Sequence, residues 1–304
     1  MPSINIEMIL TIVYVVVDDW YETEGKELLK GKVGRHPKFK DSEVLTLMLS
    51  ADYIPYPGEY QFLEYIRANH GELFPCLPEQ SQYNRRCRNL RHLLESLRRY
   101  WLNELGALDQ TYYLLDTKPL PVVGYKRSKS HSDFAGEADY GYCSSRKLYY
   151  WGYKLVMLTS LDGLPIMYEL VAANTDERKA AETVLPYVQN ATIIGDKGFI
   201  GQEWQAQIQD QTGNRFLTPT RRNQLMALPS GVQKLLNSVR ERIEGVFHEI
   251  QNTGRHLERL LARTRLGLVT RLISKMASHL LRHLLKTRFN IDIQTFQVHG
   301  AFDF

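Results

Sequence analysis

The apolar residues of this chain change their spacing once, near Gly106, and that change divides it into a helical leader and a domain containing a sheet. Ahead of Gly106 the period is helical. In DSEVLTLMLSADY (41–53), Val44, Leu45, Leu47 and Met48 recur at helical spacing, with Ser42 expected as the cap and Glu43 suited to the first turn. EYQFLEYIRANHGELF (59–74) reads as a second helix. SQYNRRCRNLRHLLESLRRYWLNELG (81–106) reads as a long amphipathic one, with Arg85, Arg86, Arg88, Arg91, Arg98 and Arg99 along it. Residues 1–105 are therefore expected to form a small all-helical domain, a candidate DNA-reading module.

Beyond Gly106 the pattern is that of strands. TYYLLDTKPLPV (111–122) is β-rich, LYYWGYKLVMLTS (148–160) is strand-like throughout, LDGL (161–164) offers a hairpin turn and PIMYELVAA (165–173) returns as its partner. NTDERKAAETVLPYVQ (174–189) reads as a helix capped by Asn174 or Thr175, and TIIGD (192–196) as the next strand. QEWQAQIQDQTG (202–213) is a helix, NRFLTPT (214–220) a short strand, and residues 229–287 are expected to be helical. This order specifies an α/β domain, a mixed sheet flanked by helices. Residues 122–147 are polar and glycine-rich without a period and read as a functional or mobile loop.

At 304 residues and 43% hydrophobic content the chain has material for one large or two ordinary cores. Its early apolar run, ILTIVYVVV (9–17), has nine residues where a membrane span needs about 20, and Glu7 ahead of it does not suit a signal peptide. A cytoplasmic location is expected. Cys76, Cys87 and Cys143 are too few and scattered for a disulfide framework and are expected as buried thiols. The net charge of +4 is modest, yet residues 215–288 hold fifteen Lys/Arg against four Asp/Glu. Such a segment is either a solvated helical face or a surface for a polyanion.

Asp116 interrupts the apolar strand YYLLD, where an acid is costly unless it is paired or binds a metal. Asp196 ends the strand in IIGDKGF. If those strands are neighbours, two carboxylates converge and offer oxygens to a hard divalent cation. Glu244, beside the apolar face formed by Ile243, Val246, Phe247 and Ile250, is the third candidate, with Arg240 one turn earlier. Read alone, that last pair is also what an ordinary surface helix carries.

LLDTKPLPV, WGYKL, ANTDERKA, IIGDKGF and RERIEGVF together resemble the DDE transposases of bacterial insertion sequences, over residues 106–290. The resemblance implies a ribonuclease H-like, retroviral-integrase fold and a three-acid site of Asp116, Asp196 and Glu244. In this chain 80 residues separate the first acid from the second and 48 the second from the third, spacings of members without a large insertion. It also implies two Mg2+ ions, replaceable by Mn2+, held by those acids, and a reaction that cuts transposon ends and joins the exposed 3′-OH to target DNA. Fuller family signatures carry tyrosine and lysine where this chain has Asn237 and Gln251. Arg240, Lys154 and Lys197 are expected to support the site. Arg85, Arg86, Arg127, Lys129, Arg221 and Arg222 are expected to contact DNA, and a homodimer or larger assembly on DNA follows from the need to join two ends. Two alternatives remain open: a structure-specific nuclease of the same fold, and a catalytically silent DNA-binding relative. Residues 291–304 are read as a tail. No G-x-G-x-x-G, P-loop or G-x-S-x-G element points to a small-molecule enzyme.

Overall fold

The computed structural model describes residues 5–29, 37–54, 58–125, 129–144, 146–219, 230–252 and 256–293, with the side chains of 230, 232–237, 239 and 240 excepted. The chain forms two units. One comprises residues 1–101, 252–262 and 266–304, and the other comprises residues 102–251 and 263–265.

The first unit is helical, with α1 (Ile6–Thr23), α2 (Asp41–Ser50), α3 (Glu59–Asn69), most of α4 (Gln80–Glu104) and most of α8 (Arg265–Phe289). The early apolar run lies in α1, which buries Ile9, Leu10, Val13, Val17 and Trp20, a stripe at three- and four-residue spacing. No described helix is long and apolar enough to cross a membrane. Ser42 is not the cap of α2; it lies inside the helix and is buried, while the Glu43 carboxylate accepts the Lys40 amide at 2.5 Å. Hydrogen bonds tie α8 to α2: the Ser278 hydroxyl donates to the Leu49 carbonyl at 2.8 Å, and the Tyr53 hydroxyl donates to the Ser278 carbonyl. Buried Lys275 meets Asp52 at 2.9 Å. Residues 229–287, expected to be helical, hold α7 (Ser230–Asn252) and α8, with a 3-10 turn at Leu257–Arg259 between them. None of the three cysteines is in a disulfide, and only Cys87 is buried; Cys76 is exposed.

The second unit is a curled six-stranded mixed sheet with flanking helices. Its strands are β1 (Tyr112–Val123), β2 (Asp139–Cys143), β3 (Leu148–Ser160), β4 (Pro165–Ala172), β5 (Thr192–Gly195) and β6 (Arg215–Leu217). β3 pairs antiparallel with β1 along one edge; on the other it pairs with β2 over its first half and with β4 over its second. β5 and β6 extend the sheet in parallel beyond β1. The hairpin read from LDGL is present, with Gly163 at φ +88° supplying the left-handed turn residue. Pro119 and Pro121 lie inside β1 past Leu115, where the strand has lost its β5 partner and proline is tolerated.

Residues 122–147 are not loop throughout, because DYGYC forms the edge strand β2. Residues 174–189 make only a short helix, α5 (Glu177–Ala181), followed by a 3-10 turn at Leu185–Tyr187, since Pro186 cannot continue the ladder. The cap of α5 is Asp176, which accepts the Arg178 amide at 3.0 Å, rather than Asn174 or Thr175.

Gly152 shows why WGYKL contains a glycine. β1 bulges between Pro121 and Val123, opposite Gly152, and a Cβ there would collide with the Leu120 carbonyl oxygen and lie 3.0 Å from the Val122 nitrogen. Both obstacles are backbone and cannot rotate away. Gly152→Ala is therefore expected to destabilise the sheet unit by about 3 kcal/mol, read as a fall of several degrees in Tm by calorimetry.

Candidate active site

The register between β1 and β5 brings the first two acids together. The parallel pairs run from Tyr112 with Thr192 to Leu115 with Gly195; Asp116 is the next residue of β1 and Asp196 the first residue past β5. Adjacent strands lie about 4.8 Å apart. The side chains therefore emerge side by side where the two strands part. Glu244 comes from α7, whose Ile243, Val246, Phe247 and Ile250 are buried. Arg242 fixes that helix to the β3–β4 turn, donating to the Asp162 carbonyl at 2.7 Å, and Lys118 of β1 donates to the Gln251 side chain with its ammonium 5.6 Å from the Phe247 ring centre. Gln251, placed where fuller signatures have lysine, thus ties the helix to β1.

Asp116, Asp196 and Glu244 line one cleft of about 430 Å³, together with Lys154 and a fourth acid, Glu177. Sequence reading missed Glu177. It sits in the first turn of α5, within ANTDERKA, and its only signal was an acid just behind the helix cap in a stretch already singled out for other reasons.

The glycines around Asp196 are explained by their neighbours. A Cβ on Gly195 would stand 2.8 Å from the Phe199 ring, and a Cβ on Gly198 would overlap the Glu177 carboxylate. One glycine admits the aromatic that closes the turn beneath the strand end; the other lets Glu177 approach. Asp196 itself caps the 3-10 turn Lys197–Phe199, accepting the Lys197 amide.

Burial pushes the Asp116 carboxyl up from 3.8 to about 7. The Thr117 amide, donating at 2.7 Å, opposes the rise, and the charges of Asp196, Glu177 and Glu244 add to it. The cleft thus gathers carboxylates close enough to resist one another's ionisation. Such a set of hard oxygen donors fits divalent cations of the Mg2+ or Mn2+ kind, which would offset that repulsion.

The other expected residues divide. The Lys154 ammonium donates to the Thr175 carbonyl at 2.6 Å, bracing the segment that leads to Glu177 from inside the cleft. Lys197 is exposed just after Asp196. In the helical unit Arg85 is exposed, but the Arg86 guanidinium is held 2.5 Å from Asp41 and from the Phe39 carbonyl and lies 5.7 Å from the Phe39 ring centre. Arg98, another of the arginines along α4, is buried against Glu95 at 2.7 Å. Lys129 lies among exposed tyrosines. Arg127, Arg221 and Arg222 fall outside the described residues, as does the side chain of Arg240.

The second unit is an α/β domain with a cleft walled by carboxylates, two from where the parallel strands β1 and β5 part and one from a following helix. A family model described as the transposase DDE domain matches residues 107–264, just over half of the chain. The chain belongs to that family, and its function is transposase-like. No curated protein and no solved structure matches it.

Proposed function

We propose that the protein is a metal-dependent DNA transposase of the bacterial insertion-sequence kind, with a ribonuclease H-like catalytic domain, which cuts element ends and joins the 3′-OH to target DNA. The observation that carries this reading is that Asp116, Asp196 and Glu244, far apart in sequence, line a single cleft. The strand order supports it too: three antiparallel strands, β4, β3 and β1, are continued by parallel β5 and β6, with acids where the pairing of β1 with β5 stops.

Asp116, Asp196 and Glu244 would hold two Mg2+ ions. Bound there, these cations supply charge neutralisation at the phosphate and activation of the attacking oxygen. The chain's own part is positioning. Asp116 and Asp196 are fixed by strand register and by the Thr117 and Lys197 amides, and Glu244 is fixed by the buried face of α7. Lys154 holds the Thr175 segment against the cleft, Lys197 meets phosphate beside Asp196, and Arg240 keeps its expected supporting role. Arg85, Arg127, Lys129, Arg221 and Arg222 track the DNA backbone, and two copies of the chain act on two ends. Arg86, whose guanidinium braces Asp41, keeps the helical unit in shape.

The test is to incubate the protein with a labelled duplex carrying the element's end, a supercoiled plasmid and Mg2+. Label covalently joined to plasmid is the expected product. Hydrolysis without joining would make the protein a nuclease, and binding without either would make it a silent relative. Glu177, the fourth acid in the cleft, adds a prediction: Glu177→Gln weakens divalent-cation affinity about 10- to 100-fold, measured by titration calorimetry, with Tm of the cation-free protein unchanged or raised.

A further inference from the structure

Four tyrosines stand exposed in one cluster on the sheet unit: Tyr125 at 49%, Tyr140 at 50%, Tyr142 at 52% and Tyr149 at 64%. They are not scattered surface rings. Tyr140 and Tyr142 alternate with Gly141 on the edge strand β2, so both point to one face, and Tyr142 is the direct cross-strand partner of Tyr149 on β3. The Tyr142 and Tyr149 rings are 4.5 Å apart; Tyr125 joins them, 5.5 Å from Tyr140 and 6.4 Å from Tyr149. The Lys129 ammonium lies 5.0 Å from the Tyr140 ring centre and 5.5 Å from that of Tyr125. Gly141 lets the strands close up: a Cβ there would lie 2.8 Å from Ala173 and 2.9 Å from the Tyr150 ring. Tyr142 also lines the carboxylate cleft, so the patch and the site are continuous.

We propose that Tyr125, Tyr140, Tyr142 and Tyr149, with Lys129, form a stacking platform for unpaired bases of the DNA strand whose phosphate enters the carboxylate cleft. This rests on the strand-cutting reading of that cleft and adds what holds the strand there.

The argument is one of competing forces. A cleft lined by four carboxylates repels a polyanion, so a strand led to it needs an anchor that does not depend on its charge. Stacking on an aromatic face provides one, contributing about 1–3 kcal/mol per base and tolerating any sequence. Bases inside a duplex hide their faces against their neighbours, so the occupant is a strand whose bases are unpaired or turned out beside the cut. The ammonium among the rings answers the phosphates that arrive with those bases and adds its own attraction to the π-faces. Exposed aromatic clusters also serve protein partners, but here the patch runs into an acid cleft built for phosphate chemistry.

The experiment uses the full chain in EDTA, so that nothing is cut, and three duplexes of one sequence: blunt, with a three-nucleotide overhang, and with an abasic overhang of equal length and charge. Wild-type protein is expected to prefer the overhang with bases over the abasic one by at least about fivefold, and a 2-aminopurine in that overhang is expected to be quenched on binding. The Tyr142→Leu/Tyr149→Leu protein loses both preference and quenching, whereas Tyr142→Phe/Tyr149→Phe keeps them. Equal affinity for the based and abasic overhangs, alongside normal duplex binding and end cleavage in Mg2+, overturns the platform and leaves the transposase reading standing. Failure to bind any of the three overturns both. A leucine variant that keeps the base preference but changes its sedimentation overturns the platform by assigning the tyrosines to a contact between protein chains.

Discussion

Asp196→Asn is expected to bind an end-bearing duplex with wild-type affinity or slightly better, and to cut it in Mg2+ on the order of a thousandfold more slowly. The side chain keeps its shape and its place in the turn, where an amide oxygen can still accept the Lys197 amide. What it loses is one negative charge in a cleft where cations must be held. Removing that charge also removes repulsion of phosphate, so binding cannot suffer for electrostatic reasons. Asp116→Asn and Glu244→Gln should behave alike. Because the three acids act as one device, combining any two substitutions should cost little beyond the first. Gel-shift affinity in EDTA and single-turnover cleavage in Mg2+ separate the two effects. A variant that cuts within tenfold of wild type would remove its residue from the site, and a variant that no longer binds DNA would show that the acid shapes the protein rather than the chemistry.

The acids could be read before the fold was known because their expense is local. A carboxylate inside YYLLD, and another at the end of IIG, each demand a reason within five residues of sequence. Their convergence could not be read so directly. It depends on the parallel register of β1 with β5, a pairing about eighty residues apart that no local pattern encodes, although the resemblance to the DDE transposases implied it. Hairpin β3–β4 was legible from Asp162 and Gly163, whereas β2 was hidden because three of its five residues are tyrosine or glycine in a polar stretch, and an edge strand needs only one apolar face. Its tyrosines were thereby hidden as well; on β3, Tyr150, Trp151 and Tyr153 are buried while Tyr149 is exposed. Charge pairing was only partly legible. Arg86 and Arg98 stand along the arginine-rich helix, and each has an acidic partner: Asp41, 45 residues from Arg86, leaves no periodic mark, whereas Glu95 lies one turn before Arg98 on the same helix. Glu177 was missed because a single acid behind an Asp cap is what most helices carry.

The position of Asp116 links stability to pH and to divalent cations. An acid whose carboxyl rises from 3.8 unfolded to about 7 folded keeps its proton in the native state after the unfolded chain has lost it. Between those values the folded protein binds more protons than the unfolded one, so stability falls as pH rises. Its contribution is complete below about pH 4 and gone once pH passes about 7. The span corresponds to at most about 4 kcal/mol, reduced by whatever water reaches the cleft. Asp116→Asn carries no such penalty, and it should melt several degrees higher than wild type at pH 8 while matching it at pH 4. Divalent cations act in the opposite sense, since they favour the ionised cleft. Saturating Mn2+ should raise the wild-type Tm strongly at pH 8 and weakly at pH 5, where a proton occupies the oxygen that a cation requires, and should move the Asp116→Asn protein little at either pH. Calorimetric scans of both proteins across pH 4–8.5, with and without Mn2+, measure all of this in one series. A difference between them that ignores pH would mean that the Asp116 carboxyl is not held protonated by the fold, and a Mn2+ effect equal in both proteins would place the cation elsewhere.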